Sequence, residues 1–166
     1  MEPLGVEAFR YHRWANSHLI SVCEGFSEEQ LQLTAPGTYG TIAATFLHLA
    51  GGEQRYIMRL GGSAPRVSER DGFPGLGALK AELERSDGEL IDLAARIGPE
   101  DAIETQFRDG RFRVSASVIL IQALHHGNDH RTHVCTILGH HGLSYGDMDV
   151  WAYGDATGGI VPLATT

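Results

Sequence analysis

Apolar residues recur at helical spacing in four long stretches, each bounded by residues that start or stop helices. In the first, Val6, Phe9, Ala15, Leu19 and Val22 follow a period near 3.6. Pro3 suits a first helical turn and Gly25 a stop, which predicts a helix over 3–25. Ser27 followed by Gln30 has the form of a capping box and predicts a short helical turn over 28–33. Pro36 and Gly37 punctuate a loop over 34–40, and Thr41 is placed to cap a second helix over 42–60. Gly61 and Gly62 end that helix, and a polar loop covers 63–74. The third helix is expected over 75–97, with Leu79, Leu83, Leu90, Leu93 and Ala94 on one side and Gly98-Pro99 as its stop. The pattern then changes period. Ile103, Thr105 and Phe107 alternate with polar residues, Asp109-Gly110 follows, then Phe112 and Val114, which is a hairpin signal over 102–114. A connector without regular strands is the alternative. The fourth helix is expected over 115–138 with Gly139 as its cap, and a short helix over 149–153 in a tail rich in Gly and aromatics.

Long helices joined by modest connections predict an all-α four-helix bundle, with a short β-hairpin before the last long helix. The 166 residues suit a single domain spanning 1–166. Hydrophobic residues at 42% and charged residues at 20% exclude a disordered chain. Thirteen Lys and Arg against 21 Asp and Glu give a formal charge of −8, which disfavours nucleic acid and anionic membrane surfaces as partners. Apolar runs are broken well before the span of about 18 residues that a membrane helix needs. No charged segment leads into an apolar run at the N-terminus, so no secretory signal is expected. Two cysteines, Cys23 and Cys135, make no disulfide framework. The expected compartment is the cytoplasm, with both thiols reduced.

The outlier is histidine, with nine residues, four of them between Leu124 and Val134. On a helix, His126, His130 and His133 fall within an arc of about 60°, beside the stripe of Ile119, Ala123 and Ile137. Imidazoles at i and i+4 can offer nitrogens to one metal ion, although such pairs also occur as solvated helix residues. A second register, His125, Asp129 and His133, points away from most apolar side chains and reads as a solvated face. His48 sits at the edge of the apolar arc of the second helix, among the small residues Ala44, Thr45, Gly51 and Gly52. Two consecutive glycines inside a helix cost about 1 kcal/mol each relative to Ala, so close packing or space for a ligand beside His48 is expected to offset them. A core His with one hydrogen bond is the alternative. Glu53 projects into the apolar arc, where a carboxylate needs a partner. It could hold a metal-bound His or water, or pair with Arg10 or Arg13.

These segments together resemble the DinB/YfiT-like metalloenzyme family over nearly the whole chain. Residues 11–16, Tyr-His-Arg-Trp-Ala-Asn, are similar to its opening helix with a Trp-Ala-Asn element. Residues 41–53 are similar to its second helix, with His-Leu and an acidic residue five positions after the His. His126-Gly-Asn-Asp-His-Arg131 is similar to its late His-x-x-x-His-Arg motif, and residues 144–151 to its C-terminal segment. The resemblance implies a four-helix bundle holding one divalent metal, zinc or nickel first and iron next, on His48, His126 and His130. It also implies a homodimer. The family often has Gly-Gln after His-Arg, whereas Thr132-His133 stand here, so His133 is expected as an added ligand or a proton shuttle.

Three neutral His leave an open position at a metal. Such a metal activates bound water or a bound thiol. On family grounds the expected activity is transfer of a low-molecular-weight thiol to a small electrophile. A metal-dependent hydrolase is the alternative, or a non-catalytic metal-binding stress protein, which a closed fourth position would favour. If no metal binds, the His cluster is a pH-sensitive surface. Asp129 and Glu53 are candidate proton acceptors and His133 a candidate shuttle. Arg131 could pair with a substrate carboxylate, and Tyr11, Trp14 and Trp151 could wall a pocket or simply fill the core. Cys135 lies on another face from His130 and is expected neither as nucleophile nor as ligand, while Cys23 is expected as a small buried hydrophobe.

Overall fold

The structure, a computed structural model, describes residues 4–107 and 110–163. It is mostly helical: α1 Leu4–Cys23, α2 Glu28–Leu31, α3 Ile42–Arg59, α4 Leu76–Arg96, β1 Ala102–Phe107, β2 Gly110–Ser115, α5 Ala116–His140 and α6 Val150–Thr157. A 3-10 turn, Glu69–Asp71, interrupts the loop between α3 and α4. The four long helices make the expected bundle. Both α1 and α3 pack against α4 and α5, which leaves α1 opposite α3 across the bundle. No helix among the described residues is long and apolar enough to cross a membrane.

The local signals explain most boundaries. Thr41 accepts a hydrogen bond from the Ala44 amide at the start of α3, and the Ser27–Gln30 capping box opens α2. Asp149 caps α6 by accepting from the Ala152 amide, and α6 runs past the expected 153 to Thr157. The first helix stops at Cys23, short of Gly25. Pro3 and Asp109, expected at a helix start and a hairpin turn, lie outside the described residues. The fourth long helix does not stop at Gly139. It continues to His140, and Gly142 at φ +70° makes the left-handed turn. The Gly142 amide then donates to the Gly139 carbonyl and the Leu143 amide to that of Leu138, the paired bonds that close a helix end. Residues 102–107 and 110–115 are true strands, antiparallel, with Ile103 opposite Val114 and Thr105 opposite Phe112.

The core has two apolar parts. One gathers Leu19, Ile20, Phe46, Leu49, Leu79, Leu83, Ile137 and Leu138. The other gathers Val6, Phe9, Ile57, Leu90, Leu93 and Ala123. On every long helix a buried polar residue stands between them: His12 and Asn16 on α1, Glu53 on α3, Ser86 and Asp87 on α4, Arg131 on α5. This layer crosses the bundle at its waist, and its polar atoms satisfy one another, as burial demands.

Candidate metal centre

Helices α3 and α5 run antiparallel, so that His48 meets His130 while Tyr56 lies near Gln122. The three imidazoles expected as ligands come together there. Ring centroids are 5.1 Å apart for His48–His126, 4.6 Å for His48–His130 and 4.4 Å for His126–His130. One nitrogen from each lies within 4.8 Å of the other two. Gly52 explains the approach: a Cβ at that position would overlap the His126 ring. The space left by Gly52, the second glycine of the doublet, is therefore filled by an imidazole from the facing helix, while Gly51 faces Arg55 and the Val67 carbonyl.

Burial, followed by the neighbouring imidazoles, pushes the pKa of His126 down to about 3 and that of His130 down to about 4. Both rings are therefore neutral near pH 7, the form that offers a lone pair. His48 is oriented from behind. Its Nδ1 lies 2.9 Å from Glu69 Oε1, and the Tyr39 ring stacks on it at 4.1 Å. The Tyr39 hydroxyl donates to the other Glu69 oxygen at 3.1 Å. Burial raises the Glu69 pKa, but hydrogen bonds from His48 and Tyr39 with the charges of His48 and Arg55 outweigh it and keep the carboxyl below its ordinary value. A carboxylate on Nδ1 favours the ring proton there and leaves the Nε2 lone pair available to a metal, an arrangement common behind metal-binding His. A neutral three-imidazole donor set suits a borderline divalent ion such as zinc or nickel.

The remaining expected residues divide. His133 stands apart from His48 and His126. Its Nδ1 lies 3.4 Å from Nδ1 of His130, and with Asp129 these two form a second, more exposed cluster. His125 is solvent-exposed, as its register suggested. Glu53 is not beside the imidazoles, nor is it paired with Arg10 or Arg13. Its carboxylate is turned into the polar layer, 2.7 Å from His12 Nε2, with Ser86 donating to the other oxygen. Arg131 is likewise committed inside: Nη1 donates to Asn16 Oδ1 at 2.6 Å and lies 3.2 Å from His12 Nδ1, while Nη2 donates to Asn128. It does not face the three-His group as a substrate anchor would. Tyr11 and Trp14 pack with Tyr153 between α1 and α6, and Trp151 is 74% exposed. The aromatic neighbours of the candidate ligands are Tyr39 and Tyr56 instead. Cys23 is buried and Cys135 half-buried; burial pushes their thiols up to about 12 and about 11.

Sequence reasoning missed Glu69 and Tyr39, because both lie in loops without periodicity. It also missed His12, Ser86 and Asp87. A buried trio of His12, Glu53 and Asp87 has ligand-type atoms as close together as those of the three-His group, but these atoms are engaged with one another, with Asn16 and with Arg131. For His12 and Asp87 the one signal was their position on the apolar face of a helix. In a comparison with known families, the model of the DinB family matches residues 1–162. Among curated proteins none matches the chain.

Proposed function

The chain belongs to the DinB family, and from that premise we propose that it is a metal-dependent transferase that joins a low-molecular-weight thiol to a small electrophile. The observation that carries this reading is the convergence of His48, His126 and His130, neutral in at least two members and braced by Glu69. Three protein donors make the open type of site used in catalysis, and His133, set apart from His48 and His126, leaves it open. His48, His126 and His130 would hold a divalent ion, zinc or nickel before iron, which would lower the pKa of a thiol placed against it. Asp129 is exposed and His133 half-buried beside His130, and these two serve as proton acceptors for the incoming thiol. Neither cysteine belongs to the three-His group, and both thiols are held protonated by burial. The reacting thiol therefore comes from solution. The reading includes a cytoplasmic homodimer whose ligand is a small molecule, and the −8 charge argues against phosphate-rich partners.

The test is metal content by elemental analysis, on protein purified without a chelator or a His tag, beside His126→Ala. About one equivalent in the wild type, lost in the variant, is expected. The loaded protein is then assayed with glutathione and cysteine against a chloronitrobenzene. Ester hydrolysis without thiol transfer would make it a hydrolase. Metal without any turnover would make it a binding protein. A wild type that stays empty after incubation with zinc, nickel and iron would overturn the metalloenzyme reading.

A further inference from the structure

A cavity of about 420 Å³ lies between α3, the first turns of α5 and the hairpin. Its volume falls in the range of small-molecule sites, about 300–1,000 Å³. Val114, Val118, Ile119 and the Tyr56 ring make it largely apolar, and Thr105 reaches it from β1. Val118 is 55% exposed, an aliphatic side chain left open on a concave surface. Arg59 stands at the same cavity, exposed, and makes no ion pair among the described residues. The cavity and the three-His group share a wall. The Tyr56 ring meets that of His126 edge-on, with centroids 5.6 Å apart. Gln122, about one helical turn before His126, donates to the Tyr56 hydroxyl at 3.4 Å. Along α3 the order His48, Gly52, Tyr56, Arg59 leads from the imidazoles past the shared Tyr56 ring to the cavity and its arginine.

We propose that this cavity seats the far arm of the substrate, so that the electrophile is an acidic amphiphile. Its reactive end lies at the three-His group, its apolar body lies over Tyr56 and against Val118 and Ile119, and its anionic terminus meets Arg59. The apolar walls exclude water from the body, while the exposed Arg59 guanidinium selects a carboxylate or sulfonate over a neutral end. Which end reacts rests on the metal-centre reading; the seat itself does not.

The probes are butane-, hexane- and octanesulfonate, whose head group is a poor metal ligand, titrated calorimetrically into zinc-loaded wild type, Val118→Asp and Arg59→Gln. Metal content is measured on every sample. Affinity should rise about fourfold for each added methylene. Val118→Asp should weaken octanesulfonate at least tenfold, and Arg59→Gln should abolish the preference for octanesulfonate over octan-1-ol. The His126 ring-proton NMR signal should move on binding in the wild type and stay still in Val118→Asp. Affinity independent of chain length, or unchanged in both variants, would overturn the proposal, as would a His126 signal that never moves. Loaded protein that fails to bind the probes sinks this inference alone. Probe binding by protein that takes up no metal sinks the proposed function and leaves the amphiphile seat standing.

Discussion

Gly51 and Gly52 are neighbours in sequence with opposite tolerances. A methyl group at 52 would enter the His126 ring, whereas one at 51 would meet the flexible end of Arg55 at 3.2 Å and the Val67 carbonyl at 3.6 Å. Gly52→Ala should therefore displace His126, weaken metal binding at least tenfold and lower the thermal midpoint. Gly51→Ala needs only a small shift of Arg55 and gains up to about 1 kcal/mol of helix propensity, so its stability should be unchanged or raised. Metal titration and thermal unfolding of the two variants check the pair; equal behaviour would contradict the contact at Gly52.

Helix α3 carries His48, Gly52, Glu53 and Tyr56, so its start influences both the candidate centre and the adjacent cavity. The Thr41 hydroxyl accepts from the Ala44 amide at 3.0 Å, and its loss by Thr41→Ala should cost about 1 kcal/mol, read as a lower urea midpoint with an unchanged slope. Metal stoichiometry should stay at the wild-type value, because His48 lies nearly two turns further in. The hairpin acts at the same scale. Its register places Ile103 opposite Val114 and Thr105 opposite Phe112, and Thr105 and Val114 close the cavity over α5.

The polar layer ties together all four long helices. Arg131 can only donate, so the His12 Nδ1 facing it must accept, and the ring proton sits on Nε2 toward Glu53. Gly127 permits this packing, since a Cβ there would overlap the His12 ring. Burial lowers the His12 pKa, against the opposing pull of Glu53. The unfolded chain takes up a proton at His12 below about pH 6.5 and the folded chain resists it. His12 therefore contributes its full stability above that pH and loses it on acidification. Asp87, raised by burial and by Glu53, works in the opposite sense and is kept in the variant His12→Gln. The stability advantage of the wild type over His12→Gln, from urea unfolding at pH 7.5, 6.5 and 5.5, should shrink as pH falls. A constant advantage would contradict a neutral buried His12.

Much of the fold was legible because its signals are local. The period of apolar residues, the Thr41 and Ser27 caps and the Gly61-Gly62 stop act within a few residues, and the structure has helices where these placed them. The spacing of His126 and His130 likewise set their shared face, since both ride on one helix. Gly139 has the form of a cap, but α5 continues to His140 and the left-handed turn falls at Gly142. What no local pattern could decide was which side chains meet across helices. Glu53 and Arg131 could each have faced a metal or a substrate. Packing turned both inward, because His12, Asn16, Ser86 and Asp87 supply the partners that a buried charge requires. His48 gained its brace from Glu69, 21 residues away in a loop. Spacing and capping along the chain are thus enough to set the elements and the faces they present. How those faces pair follows from the folded bundle, because helix rotation and contact partners depend on all the packed neighbours together.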